Sequence, residues 1–304
     1  MRLHVVGNVC VDTSFRLQRL PRQGETLNAT SIVEGVGGKG ANQAVAAARS
    51  GAVLCFWSAL GDDDMACGVS EMLKSDLEVD RLIRLPLSTD RSTILLEEDG
   101  ENAIVSAVAC ARAFDPMRQS ALTQTWREGD ILLMQGNLSR EVTAACLELA
   151  GRSGLKTVLN ASPLSDMTVE DLADVDLVIV NQGEASALTG IENPTAAANL
   201  LFDNGARSVV VTLGSQGSIV WDRADHAPAI LAAAKSAVVD TSGAGDCFAG
   251  VLVGLLAQGK TLIAAAKLAT KAAAISVARL GTLASYPSRM EISEIIKRSE
   301  LENT

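Results

Sequence analysis

Apolar, β-branched runs alternate with Ala-rich stretches along most of the chain. The pattern predicts strands at residues 4–9, 53–59, 131–135, 157–160, 177–181 and 208–213, and helices at 40–50, 65–74, 141–152 and 196–204. Strand and helix in alternation point to an α/β fold, a mostly parallel sheet covered by helices on both faces. Residues 14–36 and 93–108 break the rhythm with strand-like alternation and no helix between. In the second region Asp99-Gly100 sits between Ile94-Leu95-Leu96 and Ala103-Ile104-Val105 like a hairpin turn. A small separate sheet is expected there, either a lid beside a ligand edge or a solvent-facing flap. The last third returns to helix at 245–258, 262–278 and 289–299, where clustered Ala reads as tight helix packing rather than a repeat.

Composition narrows the classes of partner. The 304 residues are 48% hydrophobic and 20% charged, an ordinary globular balance with ample length for one large α/β domain carrying an insertion. With 26 Lys+Arg against 36 Asp+Glu the net charge is −10, which opposes binding to a polyphosphate backbone, so no nucleic-acid partner is expected. Five Phe, three Trp and one Tyr are too few for a base-stacking platform. The cysteines Cys10, Cys55, Cys67, Cys110, Cys146 and Cys247 form no C-x-x-C pair, and two His cannot complete a zinc set. The first apolar run breaks at Gly7, too early for a signal peptide's core, so a cytoplasmic chain with reduced thiols is expected. The longest apolar stretches, such as 248–258, contain Gly and fall short of the ~20 residues that span a membrane.

Four segments carry candidate chemistry. Val239-Asp240-Thr241-Ser242-Gly243-Ala244-Gly245-Asp246 runs from a strand end through small residues into a long helix. That arrangement presents backbone N–H groups and a helix's positive end to an anion such as phosphate. Asp246 is then either an acid compensating the helix terminus or a general base beside the phosphate. Gly35-Val36-Gly37-Gly38-Lys39-Gly40-Ala41-Asn42-Gln43-Ala44 opens another helix and fails the P-loop spacing. It is either a flexible turn or a place where backbone closes on a small ligand, with Lys39 and Asn42 as donors. In Asn181-Gln182-Gly183-Glu184 the amide and carboxylate share a helix face, fit for a hydrated Mg2+ or for a helix cap. Thr212-Leu213-Gly214-Ser215-Gln216-Gly217 reads as a nucleotide-pocket turn or a plain strand-to-strand turn. No G-x-G-x-x-G follows the first strand at Gly7-Asn8-Val9-Cys10, which argues against a dinucleotide enzyme.

Taken together, Gly37–Ala44, Asn181-x-x-Glu184 and Asp240–Asp246 resemble the ribokinase family of carbohydrate and nucleoside kinases over essentially the whole chain. The resemblance implies one three-layer α/β/α kinase domain over 1–304, with a β lid from about 12–36 and 91–108 through which copies pair as a homodimer. It implies transfer of the ATP γ-phosphate to a hydroxyl, expected to be primary, of a pentose-like sugar. Asp246 would be the base and Gly243, Ala244 and Gly245 the anion hole. Cys10, Asp12, Gly38, Lys39, Asn42 and Asn137 would face the sugar; Asn181 and Glu184 would organise Mg2+ through water. Thr212, Gly214, Gly217 and Gly245 would line the ATP site, and K+ would sit at Asp240, Ser242, Val277, Gly281 and Ser285.

Two positions depart from the ribose kinases of the family. Cys10 stands where they carry an Asn two residues before the sugar-binding Asp, and Asn137 where they carry a Glu after the strand ending in Met134-Gln135. Both changes alter the hydroxyl pattern the pocket can satisfy, so a deoxy, epimeric or otherwise modified sugar is expected rather than ribose. A nucleoside kinase is the alternative, disfavoured by the scarcity of aromatics. A catalytically silent sugar binder would not need Asp246, Asn181 and Glu184 together.

Overall fold

Uninterrupted apolar strands need cover on both faces. The computed structural model describes residues 1–97, 102–164, 166–223 and 227–301. Its strands are β1 (Leu3–Val6), β2 (Cys10–Leu17), β3 (Ser31–Gly37), β4 (Leu54–Gly61), β5 (Leu82–Leu85), β6 (Arg91–Glu97), β7 (Asn102–Ala107), β8 (Ile131–Gln135), β9 (Lys156–Asn160), β10 (Leu177–Asn181), β11 (Ser208–Thr212), β12 (Ser218–Asp222) and β13 (Ala229–Leu231). Its α-helices are α1 (Lys39–Arg49), α2 (Asp64–Leu73), α3 (Ala109–Ala113), α4 (Ser120–Gln124), α5 (Arg140–Arg152), α6 (Gln182–Thr189), α7 (Pro194–Asp203), α8 (Ala244–Ala257), α9 (Leu262–Ser276) and α10 (Arg289–Leu301).

One nine-stranded sheet runs β13-β12-β11-β10-β9-β8-β1-β4-β5. Pairings from β5 to β11 are parallel, and β12 and β13 add antiparallel at one edge. Successive residues of each central strand serve opposite cores. Leu3, Val5, Ile131 and Leu133 pack with α1, α8 and α9, while Val6, Leu132 and Met134 pack with α5 and α7. The result is three layers, α/β/α, with the sheet buried between two apolar cores. Among the described residues no helix is long and apolar enough to cross a membrane.

A second, four-stranded sheet stands apart in the order β3-β2-β6-β7, with β2 and β6 parallel and the outer pairs antiparallel. It spans the two regions where the helical rhythm failed. Asp99-Gly100 lies outside the described residues. The predicted first strand is shorter than expected because Asn8 is taken by α1: Ala41 N–H donates to its carbonyl at 3.0 Å and Gly40 N–H to its Oδ1 at 3.3 Å. The chain therefore turns at 7–9 and re-enters extended structure at Cys10, ahead of the predicted small-sheet boundary. β5, β12 and β13, of four, five and three residues, lie outside the predicted strands, with β12 paired between β11 and the edge strand β13.

Close helix packing places the site. Gly250 and Gly254 of α8 face α1, where an added Cβ would lie 2.4 Å from the Gln43 carbonyl oxygen or 2.3 Å from Ser50 Oγ. Only glycine lets the two backbones approach this closely. That contact sets the first turn of α8 against Asn42 and Gln43.

Candidate active site

Asp246 occupies the first turn of α8 and is 6% exposed. Adjacent amides of α1 hold both its oxygens: Asn42 Nδ2 donates to Oδ2 at 3.0 Å and Gln43 Nε2 to Oδ1 at 2.9 Å. Lys39 Nζ lies 3.7 Å from Oδ1. The two Gly-rich motifs, far apart in sequence, thus meet at one carboxylate.

The helix N-terminus that carries this carboxylate differs from those of most longer helices in the fold. Side chains of Asp63, Ser139, Asn181, Asn193 and Thr261 cap α2, α5, α6, α7 and α9. No side chain caps α8, which begins at Gly243, whereas α1, which begins at Gly38, gives its Gly40 and Ala41 N–H groups to Asn8. A helix start without such a cap directs its first-turn N–H groups outward, with the positive end of the dipole behind them. At α8 that start is bordered by half-buried Gly243 and Ala244 and by exposed Gly245. Tyr286, itself buried, donates its hydroxyl to the Gly243 carbonyl at 2.8 Å.

Across from α8, Asp12 projects from β2. Cys10 Sγ donates to Asp12 Oδ1 at 3.2 Å and lies 3.7 Å from Ser92 Oγ. Burial, reinforced by the charge of Asp12, pushes the Cys10 thiol well above its ordinary range and keeps it a protonated donor. Burial also raises the Asp12 carboxyl; hydrogen bonds from Cys10 and Ser92 oppose the rise, and the Asp246 charge adds to it. Half-buried Asn137 follows β8. The Oδ1 atoms of Asn42 and Asn137 are both buried without a hydrogen-bond partner, two acceptors that a hydroxylated ligand would satisfy. A cleft of about 440 Å3 opens between the small sheet and the 280–284 loop, with Asp12 on one wall and Asp240 and Ser242 on the other.

Asn181 and Glu184 form a reciprocal capping box: Glu184 N–H donates to Asn181 Oδ1 and Asn181 N–H to Glu184 Oε2, both at 2.8 Å. Thr212 is the register partner of Asn181 on the neighbouring strand, so both sit at the carboxyl edge of the sheet. The glycines after Thr212 make a strand-to-strand turn into antiparallel β12, with Gly214 at φ 56° and Gly217 at φ 102°. Asp240 accepts N–H bonds from Ser242 and Gly281, each at 2.9 Å. The Val277 carbonyl takes two, from Val239 at 2.7 Å and Asp240 at 3.1 Å. Buried Ser285 donates to the Thr282 carbonyl at 2.7 Å and lies 2.8 Å from Ser276 Oγ. The five candidate cation residues are therefore drawn together, but Val277 and Ser285 direct their oxygens into the loop's own bonding. Among the described residues no group of three or more His, Cys, Asp or Glu could hold a metal ion.

Gln43, Asn160, Gln135, Thr282 and Tyr286 complete the surroundings and were not singled out by sequence. Gln43 alone had a signal, its place beside Asn42 in the Gly-rich motif.

Comparison with known proteins agrees with this geometry. The profile described as pfkB family carbohydrate kinase matches residues 2–289. The deoxyribokinase of Salmonella typhi is 30% identical over 311 residues, covering 99% of this chain and 100% of that protein. The ribokinase of Mus musculus is 32% identical over 302 residues, covering 95% and 92%. The structure of Arabidopsis thaliana ribokinase complexed with ribose and ATP superposes with a TM-score of 0.83 at 26% identity, covering 97% of this chain and 98% of that one. With its signature glycines, its helix-borne Asp246 and its three layers, the chain belongs to the pfkB family and is an ATP-dependent carbohydrate kinase.

Proposed function

We propose that this kinase phosphorylates a pentose-like sugar other than ribose, using Asp246 as general base. The observation that carries the reading is a carboxylate held by two amide N–H groups at the start of α8, a helix that no side chain caps. With both oxygens already oriented, the carboxylate takes the proton of the attacking hydroxyl, while N–H groups from Gly243 to Gly245 receive the charge that develops on the transferring phosphoryl group. Asp12, Gly38, Lys39 and Asn42 surround the sugar, with Cys10 and Asn137 setting which hydroxyls are accepted. Thr212, Gly214 and Gly217 line the nucleotide site.

The cofactor readings rest on donor chemistry. Asn181 and Glu184 offer hard oxygens at the sheet edge, suited to hold Mg2+ through water, and the ion when bound neutralises phosphate charge. Glu184→Ala is expected to raise the Mg2+ concentration needed for half-maximal rate. An unchanged titration curve would leave Glu184 as a helix cap and nothing more. For K+, the carboxylate of Asp240 and the carbonyls of Ser242 and Gly281 are the fitting donors, with Val277 and Ser285 holding the loop around them. Exposed Ile32, Val33, Ile104 and Val105 on the small sheet are apolar surface that a second copy would cover in a homodimer.

Substrate choice follows from Cys10 and Asn137. The Cys10 proton already serves Asp12, and Asn137 offers a neutral acceptor where a Glu would make a charge-assisted bond roughly twice as strong. The pocket should therefore tolerate a missing or inverted hydroxyl, in keeping with relatives that include both a deoxyribokinase and a ribokinase. An ATP-consumption screen over pentoses, deoxypentoses, hexoses and nucleosides is expected to rank another sugar above ribose in kcat/KM, and Cys10→Asn with Asn137→Glu to move the preference toward ribose. Ribose ranking first in the parent by tenfold, about 1.4 kcal/mol of transition-state binding, overturns the assignment.

A further inference from the structure

A chain of side-chain amides leads away from Asp246 into the protein. Gln43 Nε2 donates both to Asp246 Oδ1 at 2.9 Å and to Asn160 Oδ1 at 2.8 Å. Asn160 Nδ2 in turn donates to the Ile179 main-chain carbonyl at 3.0 Å. On the other side, Gln135 Nε2 donates to Gln43 Oε1 at 3.1 Å. Gln43 and Gln135 are completely buried and Asn160 nearly so.

The two ends of this chain can only accept hydrogen bonds: one is a peptide carbonyl of β10, the other a carboxylate. Asn160 must therefore turn its NH2 to Ile179, which leaves its oxygen for Gln43. Gln43 then has an acceptor for each of its two N–H hydrogens, and a flipped amide would set oxygen against oxygen at both contacts. Its donor sense is fixed by the sheet. The other polar neighbours of Asp246 are less constrained. Asn42 has an unpartnered Oδ1, so its amide sense is set by the Asp246 carboxylate alone and by no second partner, and Lys39 is a half-exposed cation at 3.7 Å. The charge of Asp12 reaches Asp246 from β2, and Cys247 and Tyr286 are titratable groups close enough to feel it.

We infer that Gln43 is a positioning residue for this kinase: locked through Asn160 to the Ile179 carbonyl, it holds the plane of the Asp246 carboxylate so that its remaining lone pairs meet the attacking hydroxyl. The inference rests on the reading of Asp246 as the base. Gln43 touches neither substrate in that reading, so its loss acts on the reacting geometry, where a small misplacement lowers turnover without weakening binding.

The test compares kcat and KM in the full chain for Gln43→Met, Asn160→Ser, Gln135→Met and Asp246→Asn. Gln43→Met is expected to lower kcat by about tenfold or more with both KM values within about threefold of the parent. Asn160→Ser, which releases the lock but leaves the bond, should fall in between, and Gln135→Met should lose the least although it too breaks a buried bond to the same amide. If Gln43→Met does not fold, the order of Asn160→Ser below Gln135→Met decides. A kcat for Gln43→Met equal to the parent's, or a loss in Gln135→Met as large as in the inner variants, overturns the inference. Near-normal turnover by Asp246→Asn would instead remove the base, a failure of the underlying reading and distinguishable from the first.

Discussion

Asp246→Asn is expected to lower turnover by about 10²- to 10⁴-fold while leaving the fold and ATP affinity in place. The substitution keeps the shape of the side chain and removes its ability to take a proton. It also replaces one accepting oxygen by an NH2 group that must not face a donor. Asn42 accommodates this, because its amide can turn its unpartnered Oδ1 toward the new NH2; Gln43 cannot, being locked through Asn160. The variant therefore has one arrangement in which every polar atom of the introduced amide is satisfied, its oxygen accepting from Gln43 and its NH2 donating to Asn42. An unaltered melting temperature and nucleotide titration, measured beside kcat, would separate lost chemistry from lost structure. Near-normal turnover would exclude Asp246 as the base.

How much of this was legible beforehand depends on the range of each signal. The alternation of strand and helix is local, and it predicted the three layers with most boundaries displaced by only a few residues. The first strand ended early for a non-local reason, the capture of Asn8 by the start of α1. Likewise Asp246 and its glycines are contiguous and could be read, whereas Gln43, Asn160 and Tyr286 acquire meaning only across separations of 203, 117 and 43 residues. Asn181 and Glu184 show the converse: spacing pointed to both a cap and a metal role, and the capping box that forms leaves the two compatible, since one bond to Oε2 does not exhaust a carboxylate. The glycines after Thr212 likewise make the strand-to-strand turn, at the edge where a nucleotide pocket would lie.

Gly243→Ala should be nearly as damaging as loss of the base, by about 10²- to 10³-fold in kcat, the scale of removing one donor from a preorganised anion hole. Gly243 begins α8 at φ 72°, a left-handed conformation that favours glycine, and its surroundings are closed as well. An added Cβ would lie 2.4 Å from Thr282 Cγ2 and 2.8 Å from the Tyr286 hydroxyl. Either the 282–286 segment moves out, breaking the Tyr286 bond to the Gly243 carbonyl, or the first turn of α8 moves and takes its N–H groups off the phosphoryl position. Strain of a residue forced into this region is about 1–2 kcal/mol, so a drop in melting temperature should accompany the kinetic loss. Adding Thr282→Ser removes the methyl group nearest the new Cβ and is expected to recover part of the stability. Turnover of Gly243→Ala within about threefold of the parent would overturn the expectation that the added Cβ shifts the start of α8, leaving the 282–286 segment as the part that gives way.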